Sequence, residues 1–333
     1  MKILFIGGTG VISASCSDVC VDRGMELFLL NRGTSPRKAP AGAVLLNGSI
    51  QDPAAVNRLL QGHSFDVVVD WIAFRQQDVE RDFRLFRGRT AQFIFISSAS
   101  VYQKPIVKLP LTEDTPLYNP GWEYAQAKID CEKYLMARHE QEGFPVTIVR
   151  PSHTYDKTRT PIRLDYTLLH RMKHGKKILL HDDGTSLWTL THARDFAKGF
   201  VGLLGNNDAV GEAFHITSDE ILSWNQIAGI LADTVRVPLH VGYIPAEFVI
   251  PYDDDWGKNL TWDKRYPGVF DNTKIKRLVP EYNATIPFEQ GAEEIVEWYD
   301  AHPEYRVVNQ AFDTMLDRIF EDYARTTTNR ARE

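Results

Sequence analysis

Short, uninterrupted runs of apolar residues recur along the first half of the chain, and amphipathic stretches separate them. Because strands buried on both faces carry continuous rather than alternating apolar residues, these runs predict the strands of a parallel sheet. The stretches between them end at turn residues such as Gly24 and Gly143, which is typical of crossover helices. The pattern therefore predicts a doubly wound parallel α/β fold. Its strands are KILFI, MELFLL, AVLL, DVVVDWI, QFIFIS and VTIVRP.

A glycine-rich turn directly follows the first predicted strand. Gly7, Gly8 and Gly10 let the backbone turn tightly and approach a pyrophosphate, which then rests on the positive end of the next helix. Ser13 stands where a third glycine would ease helix packing, and a small residue still fits there. A strand, a glycine turn and a helix in this order predict a dinucleotide site. Its residues are Gly7, Gly8, Thr9, Gly10, Val11 and Ile12.

The regular alternation fades after about Pro151, where proline, tryptophan and acidic turns become frequent. From Pro303 onward, the apolar positions recur at helical spacing. We expect a dinucleotide-binding domain over 1–160, to which a later segment at about 186–217 returns. A smaller, irregular α+β region over 161–302 would bind the substrate. A helical extension over 303–333 would end the chain.

Composition narrows the class of partner. The net charge of −6 and the lack of a basic block argue against nucleic acid, because phosphate binding needs clustered Lys and Arg. No apolar run is long enough for a signal peptide or a membrane span. Three cysteines form a sparse, odd set that suits a reducing compartment. We therefore expect a cytoplasmic protein without a metal site, in which the acidic run 253–255 is a solvated loop.

Tyr124 and Lys128 form a candidate catalytic pair. They lie one turn apart at the start of a long predicted helix, which follows the strand FIFIS and the Ser-Ala-Ser-Val-Tyr stretch behind it. On the same helix face, the ammonium favours the ionised phenol and makes it a usable base.

These motifs resemble the extended short-chain dehydrogenase/reductase family, in its NAD-dependent epimerase/dehydratase branch, of which UDP-galactose epimerases are typical. The resemblance covers nearly the whole chain. It rests on GGTGVIS, on the serine stretch with Tyr124 and Lys128, on THARD at 191–195 and on FDNTK at 270–274. It implies a Rossmann fold, NAD or NADP as cofactor, a sugar-like substrate, and a homodimer formed through helices near 76–86 and 124–142.

The resemblance also implies roles for single residues. Tyr124 would transfer a proton, Lys128 would lower the pKa of Tyr124 and hold the nicotinamide ribose, and Ser98 would hydrogen-bond the substrate oxygen. His153 is either a substrate contact or a satisfied structural histidine. Further cofactor contacts would be Asn31, Arg32, Ser49, Ile50, Trp71, Ile72, Ala73, Ser97 and Pro151, and the substrate contacts would be Ser98, Ser100, His153 and Trp188.

Two departures from the family narrow its implications. Its 4,6-dehydratases place Asp-Glu directly after the catalytic hydroxyl residue, but Ala-Ser follows Ser98, so the acid and base for water elimination are missing. Its nucleotide-sugar enzymes carry a diphosphate-binding Arg where this chain has Trp188, and Arg265 matches a second such Arg only at shifted spacing. These two departures favour a substrate smaller than a nucleotide sugar, namely a sugar or polyol that stacks on Trp188.

Asn31 and Arg32 stand where an acid normally accepts from the ribose 2′-hydroxyl. Asn31 can bond that hydroxyl without repelling a 2′-phosphate, and Arg32 can pair with the phosphate, supported by Arg37 and Lys38. This residue chemistry favours NADP, whereas the resemblance favours NAD. In the alternative arrangement, Arg32 points outward and stacks on the adenine.

Three functions stay open at this point. The first is an epimerase, in which Tyr124 and the oxidised cofactor convert a carbinol to a ketone that reorients and takes the hydride back on its other face. The second is an NADP-dependent carbonyl reductase or dehydrogenase of the same family. The third is a non-catalytic dinucleotide-binding regulator or RNA-binding relative, against which the intact Ser98, Tyr124 and Lys128 argue.

Overall fold

In the computed structural model, which describes residues 1–330, seven parallel strands form one sheet and confirm the doubly wound α/β prediction. The six predicted apolar runs coincide with six of these strands. In chain order the strands are β1 (Lys2–Ile6), β2 (Glu26–Asn31), β3 (Val44–Asn47), β4 (Phe65–Asp70), β5 (Thr90–Ile96), β6 (Val146–Pro151), β7 (His153–Tyr155), β8 (Ile178–His181), β9 (Leu187–Trp188), β10 (Leu190–His192), β11 (Ala213–Ile216), β12 (Leu222–Ser223) and β13 (Val241–Ile244).

Helices cover both faces of the sheet. Cores form where α1 and α6 pack on one face and where α3 and α4 pack on the other. The helices are α1 (Val11–Asp22), α2 (Pro53–Leu59), α3 (Gln76–Phe86), α4 (Glu123–Glu142), α5 (Tyr166–Lys173), α6 (Ala193–Val201), α7 (Trp224–Thr234), α8 (Asp254–Asn259), α9 (Thr273–Leu278), α10 (Phe288–Ala301) and α11 (Gln310–Arg330). None of these helices is both long and apolar enough to cross a membrane.

The strand order of the sheet is β3-β2-β1-β4-β5-β6-β11, so the direction of winding reverses between β1 and β4. In open α/β sheets, ligands bind beyond the carboxyl ends of the strands at such a reversal. The glycine-rich turn follows β1, and the residues that precede α3 follow β4. The topology therefore brings both segments to the edge where a ligand site is expected.

The later chain divides between the sheet and a second region. Helix α6 and strand β11 return to the sheet, and a separate core gathers α5, α7, α10 and the short strand pairs β7-β10, β8-β13 and β9-β12. Helix α11 packs on this second region through Leu316 and Ile319. It begins at Gln310, not at Pro303, because residues 303–305 form only a short 3₁₀ turn and Val307 is 69% exposed.

Candidate active site

The glycine turn after β1 requires glycine for two physical reasons. Gly7 and Gly8 have φ values of +103° and +97°, a conformation that other residues rarely adopt. A Cβ on Gly8 would lie 2.6 Å from the Leu29 side chain, so a larger residue would have to displace Leu29. The Ser13 hydroxyl accepts a hydrogen bond from the Gly10 amide at 2.7 Å, which ties the turn to the first turn of α1.

A cavity of about 490 Å³, the glycine-turn cavity, opens beside this turn. The N-terminus of α1, a backbone turn without Cβ atoms and an open cleft together fit a dinucleotide phosphate and its adenosine. The structure brings much of the predicted cofactor set to its wall. The predicted lining residues are Gly7, Thr9, Asn31, Arg32, Ser49, Ile50 and Ile72; those that the sequence analysis missed are Leu30, Gly33, Thr34, Ser35, Gly48, Gln51 and Phe74.

Other predicted cofactor residues lie outside this cavity. Gly10 and Val11 line a neighbouring cavity of about 740 Å³ between the turn and α10. Gly8 and Ile12 pack within the sheet domain, and the Trp71 indole lies in its core, 4.8 Å from the ring of Phe200. Because the Trp71 ring packs against Phe200, a contact of Trp71 with a dinucleotide would involve its backbone.

The hydroxyl of Ser97 is also engaged elsewhere. It donates to Glu132 at 2.5 Å, in a buried pair with Arg150. Pro151 is buried at the end of β6, where it pairs with Ile216 of β11. Neither side chain lines the glycine-turn cavity, and the role of Ser97 and Pro151 as cofactor contacts stays a prediction.

Arg37 does not face the glycine-turn cavity either. Its guanidinium contacts Asp156 at 2.5 Å and Thr158, two residues of the segment that follows β7, and its Nη1 donates to the Gly10 carbonyl at 3.4 Å. Only Arg32 among the three expected phosphate cations lines the cavity. The Asn31 amide oxygen accepts from the Gly33 amide at 3.0 Å, which leaves its NH₂ group as the donor.

The catalytic hydroxyls meet beyond the carboxyl end of β5. Ser98 caps the 3₁₀ turn Ala99–Val101, and the Ser100 hydroxyl donates to the Ser98 hydroxyl at 2.9 Å. The phenol of Tyr124, at the start of α4, is in hydrogen-bonding reach of Ser98, which lowers its pKa. Burial is the larger effect and raises the pKa of Tyr124 overall, so the phenol is protonated at neutral pH.

Lys128 is buried beneath this pair. Its ammonium donates to the carbonyls of Ala73 at 2.7 Å and Ile96 at 2.8 Å and lies 6.0 Å from the centre of the Tyr124 ring. Burial lowers the pKa of Lys128 to about 8. The ammonium is thus directed to two backbone carbonyls, and the lowering of the Tyr124 pKa by Lys128 stays a prediction.

Asp70, which sequence reasoning missed, fixes one of those carbonyls. Its Oδ1 accepts from the amides of Ile72 at 2.6 Å and Ala73 at 2.8 Å, so it holds the loop after β4 in place. Asp70 itself is fully buried beside Arg81 and Asp82. The one signal in the sequence is an acid that stands between the apolar residues VVV and WI of the run DVVVDWI.

A third cavity of about 450 Å³, the outer cavity, reaches the start of α4 at Trp122. Trp122 lines it and places its ring 4.8 Å from that of Tyr124, while its indole N–H donates to Asp255 at 2.8 Å. The acidic run 253–255 is largely exposed, as expected, but is not a loop: Asp253 caps α8 through the Trp256 amide at 2.9 Å, and the exposed Asp254 and Asp255 lie in the first turn of that helix. The other lining residues include His153, Arg159, Arg163, Asp165, His181, Trp224, Asn259 and Lys264.

His153 lines the outer cavity, as a substrate contact, one of its two predicted roles, would require. Its Nε2 is 2.7 Å from the Pro161 carbonyl, which can only accept, so Nε2 carries the proton and Nδ1 is an acceptor. Burial lowers the pKa of His153 to about 3, so the ring is neutral over the physiological range. A neutral acceptor in a cavity wall is suited to a hydroxyl group.

Trp188 does not offer its face to a ligand. The side chain is 3% exposed, its indole N–H donates to the Lys264 carbonyl at 2.9 Å, and the Lys264 ammonium covers the ring at 3.9 Å from its centre. The predicted stacking of a sugar on Trp188 is therefore wrong for this arrangement, because Lys264 occupies that space.

Comparison with known proteins agrees with this geometry. The family model described as NAD dependent epimerase/dehydratase matches residues 3–217. The chain is 29% identical over 302 residues to the chloroplast stem-loop binding protein of 41 kDa b from Arabidopsis thaliana, covering 85% of this chain and 76% of that protein. It is 25% identical to a dTDP-D-glucose 4,6-dehydratase of Bos taurus, over 76% and 73% of the two chains. A Bacillus anthracis dTDP-glucose 4,6-dehydratase solved with NAD superposes with a TM-score of 0.75 at 18% identity, over 92% and 98% of the chains.

Proposed function

Because the chain belongs to the NAD dependent epimerase/dehydratase family, and is thus an enzyme of the extended short-chain dehydrogenase/reductase type, we propose that it is an epimerase of a sugar-like carbinol. The observation that supports this proposal is the arrangement of Ser98, Tyr124 and Lys128 at the carboxyl end of β5: Ser98 follows that strand, Tyr124 and Lys128 lie at the start of α4, and the Lys128 ammonium donates to the Ile96 carbonyl at 2.8 Å. Ser98 holds the substrate hydroxyl, Tyr124 takes and returns its proton, and Lys128 anchors the ribose side of the cofactor. When bound, NAD accepts a hydride from the substrate carbon and can return it.

Water elimination is disfavoured by the residues behind Ser98. Ala99 and Ser100 are buried in the 3₁₀ turn, and neither is an acid that could protonate a leaving hydroxyl. We therefore propose epimerisation rather than dehydration.

The stem-loop binding in the name of the Arabidopsis relative represents a different class of function. A net charge of −6 disfavours it here, since affinity for a phosphate backbone comes chiefly from Lys and Arg. The Tyr124-Lys128 pair, in which Lys128 is buried and hydrogen-bonded to two backbone carbonyls, favours the enzyme. Electrophoretic mobility shifts with hairpin RNA test this alternative directly; tight binding would support it.

We propose NAD as the resident cofactor. The glycine-turn cavity offers Asn31 and Arg32 beside the adenosine position, while Arg37 is paired with Asp156 and does not add to a 2′-phosphate site. The NADP-dependent reductase stays a second candidate, because no acid follows β2 to reject a phosphate.

Identification of the nucleotide released on denaturing freshly purified protein tests the two candidates. An epimerase retains its cofactor through each cycle, so we expect about one NAD per chain. Protein that emerges without nucleotide and binds added NADPH would contradict the epimerase and support the reductase.

Arg32→Ala tests how the cofactor is chosen. If Arg32 pairs with a 2′-phosphate, NADP binding weakens by about 1.5 kcal/mol, roughly tenfold, the low end for a hydrogen bond to a charged group at an exposed site, and NAD binding changes little. Fluorescence titration with both nucleotides measures this. Equal effects on the two would show that Arg32 does not read the phosphate, as in the arrangement where it stacks on adenine.

A further inference from the structure

A buried cluster of three charged side chains, which the proposed reaction does not use, reaches the wall of the outer cavity through one member, Lys264. Lys264 lines the cavity, and its ammonium is 3.0 Å from one oxygen of the Asp263 carboxylate. The other oxygen is 3.6 Å from the ammonium of Lys104. The side chains of Lys104, Asp263 and Lys264 are 2%, 7% and 11% exposed, so two cations share one buried anion.

This cluster has one positive charge in excess. A buried ammonium without a counter-ion is costly, and burial indeed lowers the pKa of Lys104. The carboxylates in the cavity wall do not supply the missing charge. Asp165 is 3.7 Å from Arg159, and Asp255 is exposed and bound to the Trp122 indole. An anionic group on a ligand in the outer cavity would complete the balance.

Lys264 is held firmly where such a ligand would meet it. It ends the π-helical turn Leu260–Lys264, a rare geometry that recurs at functional sites. Its carbonyl accepts from the Trp188 indole at 2.9 Å and from the Ser186 hydroxyl at 2.8 Å, and the Trp188 ring supports its ammonium. Trp188 thus stands where relatives are expected to carry a phosphate-binding Arg, but it holds a cation that comes from another segment.

Resting on the proposed function, we propose that the substrate is a sugar acid, free or simply substituted, whose carboxylate binds Lys264 and one of whose hydroxyls donates to His153 Nδ1. One surplus charge matches a single carboxylate and not a nucleoside diphosphate. The other cations near this wall already have partners: Arg159 pairs with Asp165 at 3.7 Å, Arg163 pairs with Asp253 at 3.1 Å, and Arg265 pairs with Asp182 at 2.9 Å and with Glu247. Charge and hydrogen-bonding capacity at this wall both fit a polyhydroxy monoanion.

Calorimetric titration of the NAD-loaded protein tests the ligand class. The probes are D-glucuronate and D-galacturonate, their neutral parents D-glucose and D-galactose, and galactose 1-phosphate and UDP-galactose. We expect at least one sugar acid to bind about tenfold or more tightly than its parent, with an affinity that falls as salt rises. Equal binding of acid and parent, no binding of either acid, or tighter binding of a phosphorylated probe would overturn the assignment.

Variants of Lys264 test the site itself. Lys264→Gln should weaken sugar-acid binding about tenfold or more, whereas Lys264→Arg keeps the charge and most of the affinity. Lys258→Gln is the matched control, because Lys258 lies on the adjacent helix α8 and pairs with Glu123 and Asp254. Unchanged binding in Lys264→Gln would refute the subsite, and so would failure of Lys264→Arg to retain binding while its circular dichroism matches wild type.

The same titration separates this proposal from the reaction proposed above. Tyr124→Phe should still bind the sugar acid, because Tyr124 moves a proton and is not the anchor of the carboxylate. Lys264-dependent binding without any epimerisation would reject the reaction and keep the subsite. Epimerisation of a neutral sugar that is indifferent to Lys264→Gln would reject the subsite and keep the reaction.

Discussion

Replacement of Tyr124 by phenylalanine is expected to lower turnover at least about a hundredfold, the usual scale for losing a positioned acid/base. The phenol is buried within reach of the Ser98 hydroxyl, and no other acid follows Ser98 to take over the proton. The variant loses one oxygen and keeps the ring that packs at 4.8 Å from Trp122, so the fold and nucleotide binding should stay nearly intact. Steady-state rates, together with bound-nucleotide content, separate these effects.

Tyr134→Phe is the matched control, since Tyr134 lies on the same helix, α4, contacts Phe83 of α3 and lines neither the glycine-turn cavity nor the outer cavity. We expect it to retain wild-type turnover. If Tyr124→Phe kept near-normal turnover as well, proton transfer would have to be assigned to another group, and the proposed mechanism would be wrong.

Those parts of the site that depend on local spacing were predictable from the sequence. The glycine turn, the six predicted strands and the Tyr124-Lys128 pair all follow from residues close together in the chain, where periodicity and backbone sterics act directly. The comparisons and the sheet topology confirm the fold and family that these motifs indicate. The roles of the individual site residues stay predictions.

The predictions that failed concern residues whose contacts come from segments far apart in the chain. Nothing near Trp188 in the sequence indicates that Lys264, seventy-six positions later, covers its ring. The pairing of Arg37 with Asp156 spans 119 positions and withdraws a cation that local reasoning gave to the cofactor. A pattern of residue types shows which groups are available, but tertiary contacts decide which of them a ligand can reach.

The buried hydrogen bond between Ser97 and Glu132 is another contact between distant segments that the sequence does not reveal. Glu132 is also the residue whose replacement is expected to have the second large effect, on stability. The Ser97 hydroxyl donates to Glu132, which also accepts from Arg150 at 2.7 Å, and all three side chains are buried. Glu132 and Arg150 lie eighteen positions apart in separate elements, α4 and β6. The helical periodicity of α4 gives no indication that an acid lies on its buried face.

Glu132→Ala is expected to lower the free energy of unfolding by about 3–5 kcal/mol, because it leaves the Arg150 guanidinium buried without a counter-ion. Urea titration measures the loss. Glu142→Ala is the control on the same helix: its partly exposed pair with Arg138, at 2.7 Å, should contribute no more than about 1 kcal/mol. The double change Glu132→Met with Arg150→Met removes both charges and should recover much of the loss, since the penalty comes from the unpaired charge and not from the missing carboxylate. A loss of under about 1 kcal/mol in Glu132→Ala would mean that Arg150 is satisfied by the Tyr102 hydroxyl and the Glu113 carbonyl alone, its other two partners in the buried site.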